Sequence, residues 1–200
     1  MKDIYIVLTY TGTTLSGIVK FYTKEKYTHV SIGLDSKLKK LYSFGRLNPY
    51  NPLKGGFIKE DLDSGTFGRF KKTIAAIYSF KVTDEQYEKI ENTIYNVREN
   101  KDKYKFNILG LFLVSVNKKL KREKTFYCAE FVKYVLETAL NKKFLPEIIK
   151  PMDFLEIENI ELIYEGILRK YQYEKVFDKN NVIAWNKRGQ PLLFCNKFVI

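Results

Sequence analysis

Two side chains in this 200-residue chain are suited to covalent chemistry with each other, Cys128 and His29. A thiol attacks carbonyl carbon well only as the thiolate, and a base within hydrogen-bond reach, most often a histidine, makes it one. The chain holds a single histidine, so any Cys–His pair must use His29. The second cysteine, Cys195, lies far from Cys128 with no metal-ligand spacing between them, so no metal site is expected. The plain alternative is packing, because cysteine is among the most buried residue types.

The element that must position Cys128 is the run TFYCAEFVKYVLETAL over 125–140. Its apolar residues recur at Cys128, Phe131, Val132, Val135, Leu136, Ala139 and Leu140, the spacing of a helix with one buried face. Thr125 is the expected N-cap. Cys128 then falls in the first turn, where the positive end of the helix dipole favours a thiolate. His29 lies in THVSIGL, a strand-like segment over 28–34. Asp35-Ser36-Lys37 reads as a turn, and LYSFG over 41–45 as the antiparallel partner.

The rest of the chain gives an α+β pattern. Strands are expected over 4–9, 73–82 and 160–168, with a short one over 56–60. A short helix is expected over 14–22, with Leu15, Ile18, Val19 and Tyr22 on one face. The stretch 46–56, with two prolines and little periodicity, reads as a loop. Thr83 and Gln86 form a capping box that opens a helix to about 100, with Tyr87, Ile90, Ile94 and Val97 inward. The dense apolar segment 106–116 is too short to span a bilayer and reads as a core helix. Asn141 ends the cysteine helix, and Pro151-Met152-Asp153 starts a short helix. Residues 182–185 and 192–200 suggest an extra hairpin. The division is thus one domain over 1–170 and a C-terminal extension over 171–200.

Composition narrows the function classes. A chain of this length buries roughly 70% of its unfolded surface and needs no disulfide or metal to hold together. Hydrophobic residues make up 45% and aromatics 16%, which is against disorder. Thirty-five basic and 23 acidic residues give a net charge of +12. Such charge attracts anionic partners, including a membrane surface, but AT-rich coding also yields Lys-rich chains. No nucleic-acid motif is present, so no specific nucleic acid is expected. The densest basic cluster, Lys118-Lys119-Leu120-Lys121-Arg122, precedes Cys128; it reads as a solvated loop or as an attractor for an anionic substrate. No signal-peptide pattern and no long apolar run is seen, so a cytoplasmic protein with reduced thiols is expected.

Three segments in this order carry a resemblance: Tyr27-Thr28-His29-Val30-Ser31-Ile32, Leu41-Tyr42-Ser43-Phe44-Gly45-Arg46, and Phe126-Tyr127-Cys128-Ala129-Glu130-Phe131-Val132, with Pro151-Met152-Asp153 after them. A histidine strand followed much later by a cysteine at a helix head resembles the circularly permuted branch of the papain-like, NlpC-type thiol hydrolases. That branch includes the YiiX-like and lecithin–retinol-acyltransferase-like proteins. The resemblance spans about 4–166. It implies an antiparallel sheet packed against helices that include the Cys-bearing one, with Cys128 as nucleophile and His29 as base. It also implies a polar residue on the next strand to orient the histidine. Ser43 is the best-placed residue there, Tyr42 is next, and Glu60 and Glu130 are charged alternatives.

Tyr127, Tyr42 and Glu130 are the expected substrate-side residues. Glu130, about 200° round the helix from Cys128, has the simpler role of favouring the first-turn dipole. The implied chemistry is cleavage of, or acyl transfer from, a small peptide, amide or ester, and it needs no metal or cofactor. The alternatives are a lipid-directed acyltransferase or phospholipase at a membrane surface, and an inactive binding module of the same fold.

Overall fold

Alternating apolar residues in Ile4-Tyr5-Ile6-Val7-Leu8 bury both sides of one strand, and the architecture grows outward from it. The computed structural model describes residues 1–115, 118, 120 and 122–171, with the backbone alone at 14, 15, 18, 22, 23, 52, 53 and 115. The central strand is β1 (Lys2–Tyr10). It is followed by α1 (Thr14–Thr23), β2 (His29–Gly33), β3 (Leu41–Asn48) and β4 (Asn51–Glu60). Then come α2 (Gly65–Arg69), β5 (Ile74–Val82), α3 (Asp84–Glu99), β6 (Lys105–Phe106) and α4 (Ile108–Ser115). The last described elements are β7 (Thr125–Phe126), α5 (Cys128–Leu140), a 3-10 turn (Pro151–Glu156) and β8 (Glu161–Ile167).

The main sheet has six strands in the order β4-β3-β2-β1-β5-β8, and every pairing is antiparallel. The fold is therefore α+β, with helices packed on an antiparallel sheet. One side of the sheet carries Ile4, Ile6, Leu8, Val30, Ile32 and Phe44 against Ile90 and Ile94 of α3 and Phe131, Val135 and Leu136 of α5. Burying each such side chain contributes roughly 1.5–3 kcal/mol relative to leaving it exposed. The other side carries Tyr5, Val7, Leu41, Ala75 and Ile77 beneath Leu38, Leu62 and Phe67.

The expected inward residues of α3 are the buried ones, and its capping box is present in both directions. Several boundaries depart from expectation. The stretch 46–56 is not a loop: β3 and β4 run through it, paired from Leu41↔Glu60 to Asn48↔Asn51, because its prolines and glycines fall at the tip and at a register shift. Phe106 leaves the expected core helix for β6, which pairs in parallel with β7. The remaining helix, α4, is only partly covered, with Leu109 51% and Phe112 39% exposed. The short α2 has no apolar periodicity long enough to show in sequence. Of the expected apolar face of α1, Val19 is buried, and Leu15, Ile18 and Tyr22 lie outside the described side chains. The hairpin over 182–200, and all of the extension except Tyr171, lie outside the described residues. No helix among the described residues is long and apolar enough to cross a membrane.

Candidate active site

Cys128 is the first residue of α5, and His29 is the first of β2. Both side chains line one cleft, close enough for Cys128 to act on the charge of the His29 ring. The helix does not start where the sequence suggested. Thr125 sits in β7 and its hydroxyl donates to the Arg122 carbonyl at 3.0 Å, while Tyr127 is the N-cap, with extended backbone. The β6–β7 pairing holds 125 and 126 extended, so the first turn forms two residues later than expected and Cys128 comes to its head. The helix closes at Asn141, whose left-handed backbone (φ 50°) directs its N–H to the Glu137 carbonyl.

His29 Nε2 bonds Glu60 Oε1 at 2.8 Å. With Nε2 so engaged, Nδ1 is left for the sulfur. Glu60 is the last residue of β4 and is itself fixed on both oxygens. Ser43 Oγ donates to Oε1 at 2.6 Å, and Ser31 Oγ donates to Oε2 at 2.8 Å. Ser43 therefore does not orient the ring directly. The register Ile32↔Tyr42 and Gly33↔Leu41, continued along the strands, sets Ser43 beside Ser31 and Gly45 beside His29. A serine is too short to reach a ring two residues along. The longer Glu60, from one strand further out, spans the gap. Gly45 keeps the floor under the ring clear, since a Cβ there would lie 3.3 Å from His29 Cε1.

The electrostatics follow from this packing. Burial by itself would push the His29 imidazole down. The Glu60 carboxylate, the contact with Cys128 and the hydrogen bond that the ring donates to Glu60 outweigh burial and raise the ring from 6.5 to about 10. Burial would likewise raise Glu60. The His29 charge, with hydrogen bonds from His29, Ser43 and Ser31, instead holds it below the ordinary carboxylate value. The imidazolium is thus held beside the sulfur at neutral pH.

A cleft opens over the pair. Cys128, His29, Glu60 and Tyr127 line it, together with Phe44, Gly45, Ile58, Phe106 and Leu111. Thr11, Ser16 and Arg46 line it as well. Of the expected substrate-side residues, Tyr127 alone lines the cleft, and its hydroxyl is spent on the Ile149 carbonyl at 2.9 Å. Tyr42 is buried and stacked on Phe57, with ring centroids 6.0 Å apart, because its strand position faces the helical side of the sheet. Glu130 is off the cleft: its Oε2 accepts the Tyr127 N–H at 3.1 Å and the Asn107 side-chain N–H at 3.2 Å. That geometry suits a first-turn cap rather than a substrate contact. Asn107 is 3% exposed, also accepts the Gly110 N–H at 3.0 Å, and so ties the start of α4 to the start of α5. Nothing in the sequence pattern pointed to Asn107 beyond a polar residue ahead of an apolar run. Of the basic cluster before Cys128, 119 and 121 lie outside the described residues.

No family model, curated protein or solved structure matches this chain. No group of His, Cys, Asp or Glu side chains among the described residues is arranged to hold a metal ion.

Proposed function

We propose that this protein is a cysteine hydrolase or acyltransferase of the permuted papain-like type, acting on an amide or ester through Cys128, His29 and Glu60. The observation that carries the reading is a buried carboxylate bonded to the single histidine, with a cysteine at a helix head beside them in one cleft. Glu60 supplies the charge that Ser43 lacks. Ser43 and Ser31 hold Glu60, and Glu60 holds the ring.

The Cys128 thiolate adds to the substrate carbonyl carbon, and the carbonyl π pair becomes an oxyanion. The free backbone N–H groups at the start of α5 face that oxyanion. As the tetrahedral species collapses, the C–N or C–O bond breaks and the leaving group takes the His29 proton, leaving a thioester on Cys128. Water then attacks the thioester carbon and gives a proton to His29. The C–S bond breaks, and the acid leaves with the thiolate and imidazolium restored. An alcohol or amine in place of water makes the step an acyl transfer.

A lipid ester is the second substrate class, favoured by the exposed Leu109 and Phe112 of α4, which flank Leu111 on the cleft wall. A cytoplasmic setting belongs to the same proposal and suits Cys128, which is a free thiol.

Exposure to p-nitrophenyl acetate tests the reading. Intact-mass spectrometry should find an acetyl group on Cys128 in the wild type and none in Cys128→Ala or His29→Ala. A wild-type protein that forms no adduct and releases no nitrophenol would instead support a binding module of this fold.

A further inference from the structure

Arg46 lies two residues beyond Phe44 on β3 and lines the same cleft as Cys128 and His29. Arginine is seldom drawn into a protein wall without an acidic partner. Here the side chain is partly buried, and no carboxylate among the described residues pairs with it. Its one hydrogen bond is from Nη2 to the neutral hydroxyl of Thr13, at 2.8 Å. A guanidinium carries five N–H donors in a planar fork, so most of that fork is unspent. The Phe70 ring, 5.7 Å from the guanidinium carbon, steadies its plane without neutralising it. Burial, and then the nearby Arg69 guanidinium, depress the Arg46 pKa, so the second arginine adds to the positive field instead of relieving it. Arg69 is held over the Tyr50 ring at 3.8 Å and also has no carboxylate partner among the described residues. Thr11 and Ser16 bring hydroxyls to the same wall, and the first turn of α1 contains no acidic residue.

We propose that Arg46 anchors the substrate, pairing its guanidinium with a carboxylate or phosphate oxyanion on the acyl compound that Cys128 attacks. This rests on the nucleophile reading above and narrows it to anionic substrates. A planar fork matches an oxyanion with two parallel hydrogen bonds, and the partly dry wall strengthens them. The negative group would sit across the cleft from the sulfur, where it orients the acyl carbon.

Two alkylating reagents of similar size separate the terms. Iodoacetate carries a carboxylate and iodoacetamide does not, and peptide mapping reads the rate at Cys128 for each. His29 favours iodoacetate in every variant that keeps it, so only the change on altering Arg46 is informative. Arg46→Gln should slow iodoacetate about tenfold while iodoacetamide changes less than about twofold, the scale of one charge-assisted hydrogen bond. Arg46→Lys should recover part of the preference.

Inorganic phosphate and acetate, titrated separately, should protect wild-type Cys128 from iodoacetamide and fail to protect Arg46→Gln. The one that protects at the lower concentration identifies the oxyanion. An unchanged iodoacetate-to-iodoacetamide ratio in a reactive Arg46→Gln protein overturns the inference alone. So does a parallel fall of both rates that Arg46→Lys does not repair, which marks a structural arginine. A wild-type Cys128 labelled no faster by either reagent than a simple thiol overturns the nucleophile reading and this inference with it.

Discussion

Helices α3 and α5 pack against each other on the same side of the sheet, yet they begin in opposite ways. At α3 the Thr83 hydroxyl accepts the Gln86 N–H at 3.1 Å, and the Gln86 side chain accepts the Thr83 N–H at 2.9 Å. At α5 the N-cap is Tyr127, whose side chain makes no capping bond, while Glu130 reaches back to accept the Tyr127 N–H together with that of the Asn107 side chain. A helix start with a side-chain cap is a finished structural joint. A helix start without one keeps first-turn donors unspent and points them at whatever lies ahead. Ahead of α5 lies the cleft. The comparison teaches that, of these two packed helices, the one whose N-cap side chain makes no capping bond is the one whose first turn borders the cleft.

The sharpest way to break this comparison is to remove the charge that sits beside the histidine at the α5 end. Glu60→Gln keeps the shape and takes away the carboxylate that raises His29. Cys128 alkylation at neutral pH should fall by roughly tenfold to a hundredfold, the scale of a charge-assisted bond lost from a buried site. The single histidine gives one imidazole signal, so its NMR titration reads the same change directly. The wild-type midpoint is expected at about 10, and the Glu60→Gln midpoint well below it.

Stability should follow the same groups. His29, raised above 6.5, contributes stability that is complete below that value and is lost as pH rises through about 10. Glu60, held below its ordinary value of 4.5, contributes stability present above that value and lost as pH falls through its lower folded value. Wild-type protein should therefore melt highest between about pH 4.5 and 6.5 and lose stability on either side, and Glu60→Gln should flatten that profile. A variant with unchanged reactivity and an unchanged midpoint would remove Glu60 from the site.

Much of this was legible before any coordinates. The period of α5, the α3 box and the apolar runs of β1 and β5 are local patterns, and each set its element to within a few residues. The single histidine and the helix-head cysteine marked the pair. The third member was harder to read. Glu60 reaches His29 across β3, and the register that decides between it and Ser43 is fixed by the β3–β4 hairpin. That hairpin was hidden because its prolines and glycines carry turn chemistry that outweighs the alternation around them. Arg46 was visible only as the end of a motif, since its lack of a carboxylate partner is a property of the assembled wall. Thr125 failed as a cap because a two-residue parallel strand pair leaves almost no sequence signal.

A middle-sized effect should separate the two helix starts. Thr83→Ala removes a cap and should cost about 1 kcal/mol, lowering the melting temperature by roughly 2–4 °C, with Cys128 reactivity unchanged. Glu130→Ala removes the acceptor shared by the Tyr127 and Asn107 N–H groups and should cost about 1–3 kcal/mol. It should also slow Cys128 alkylation severalfold, because the turn that presents the sulfur frays. Thermal melts and labelling rates on both variants check the pair. Equal reactivity loss in both would mean that general stability, not the α5 end, governs the thiol.

The smallest effect is expected at Ser43. Its hydroxyl shares Oε1 of Glu60 with the histidine ring, so it positions the carboxylate and not the imidazole. Deleting it has two opposed consequences. The carboxylate loses a short bond and some of its fixed orientation, which weakens the chain. At the same time Oε1 is left to His29 alone, which strengthens that one contact. The net loss should be near the low end of a single hydrogen bond, about 0.5–1 kcal/mol, or roughly threefold in Cys128 reactivity. The His29 titration midpoint should stay near its wild-type value of about 10, because the charge beside the ring is untouched. Ser31→Ala, which frees the other oxygen, should behave alike. A Ser43→Ala protein as impaired as Glu60→Gln, with its His29 midpoint shifted, would mean that the serine acts on the ring itself and that the carboxylate is the accessory.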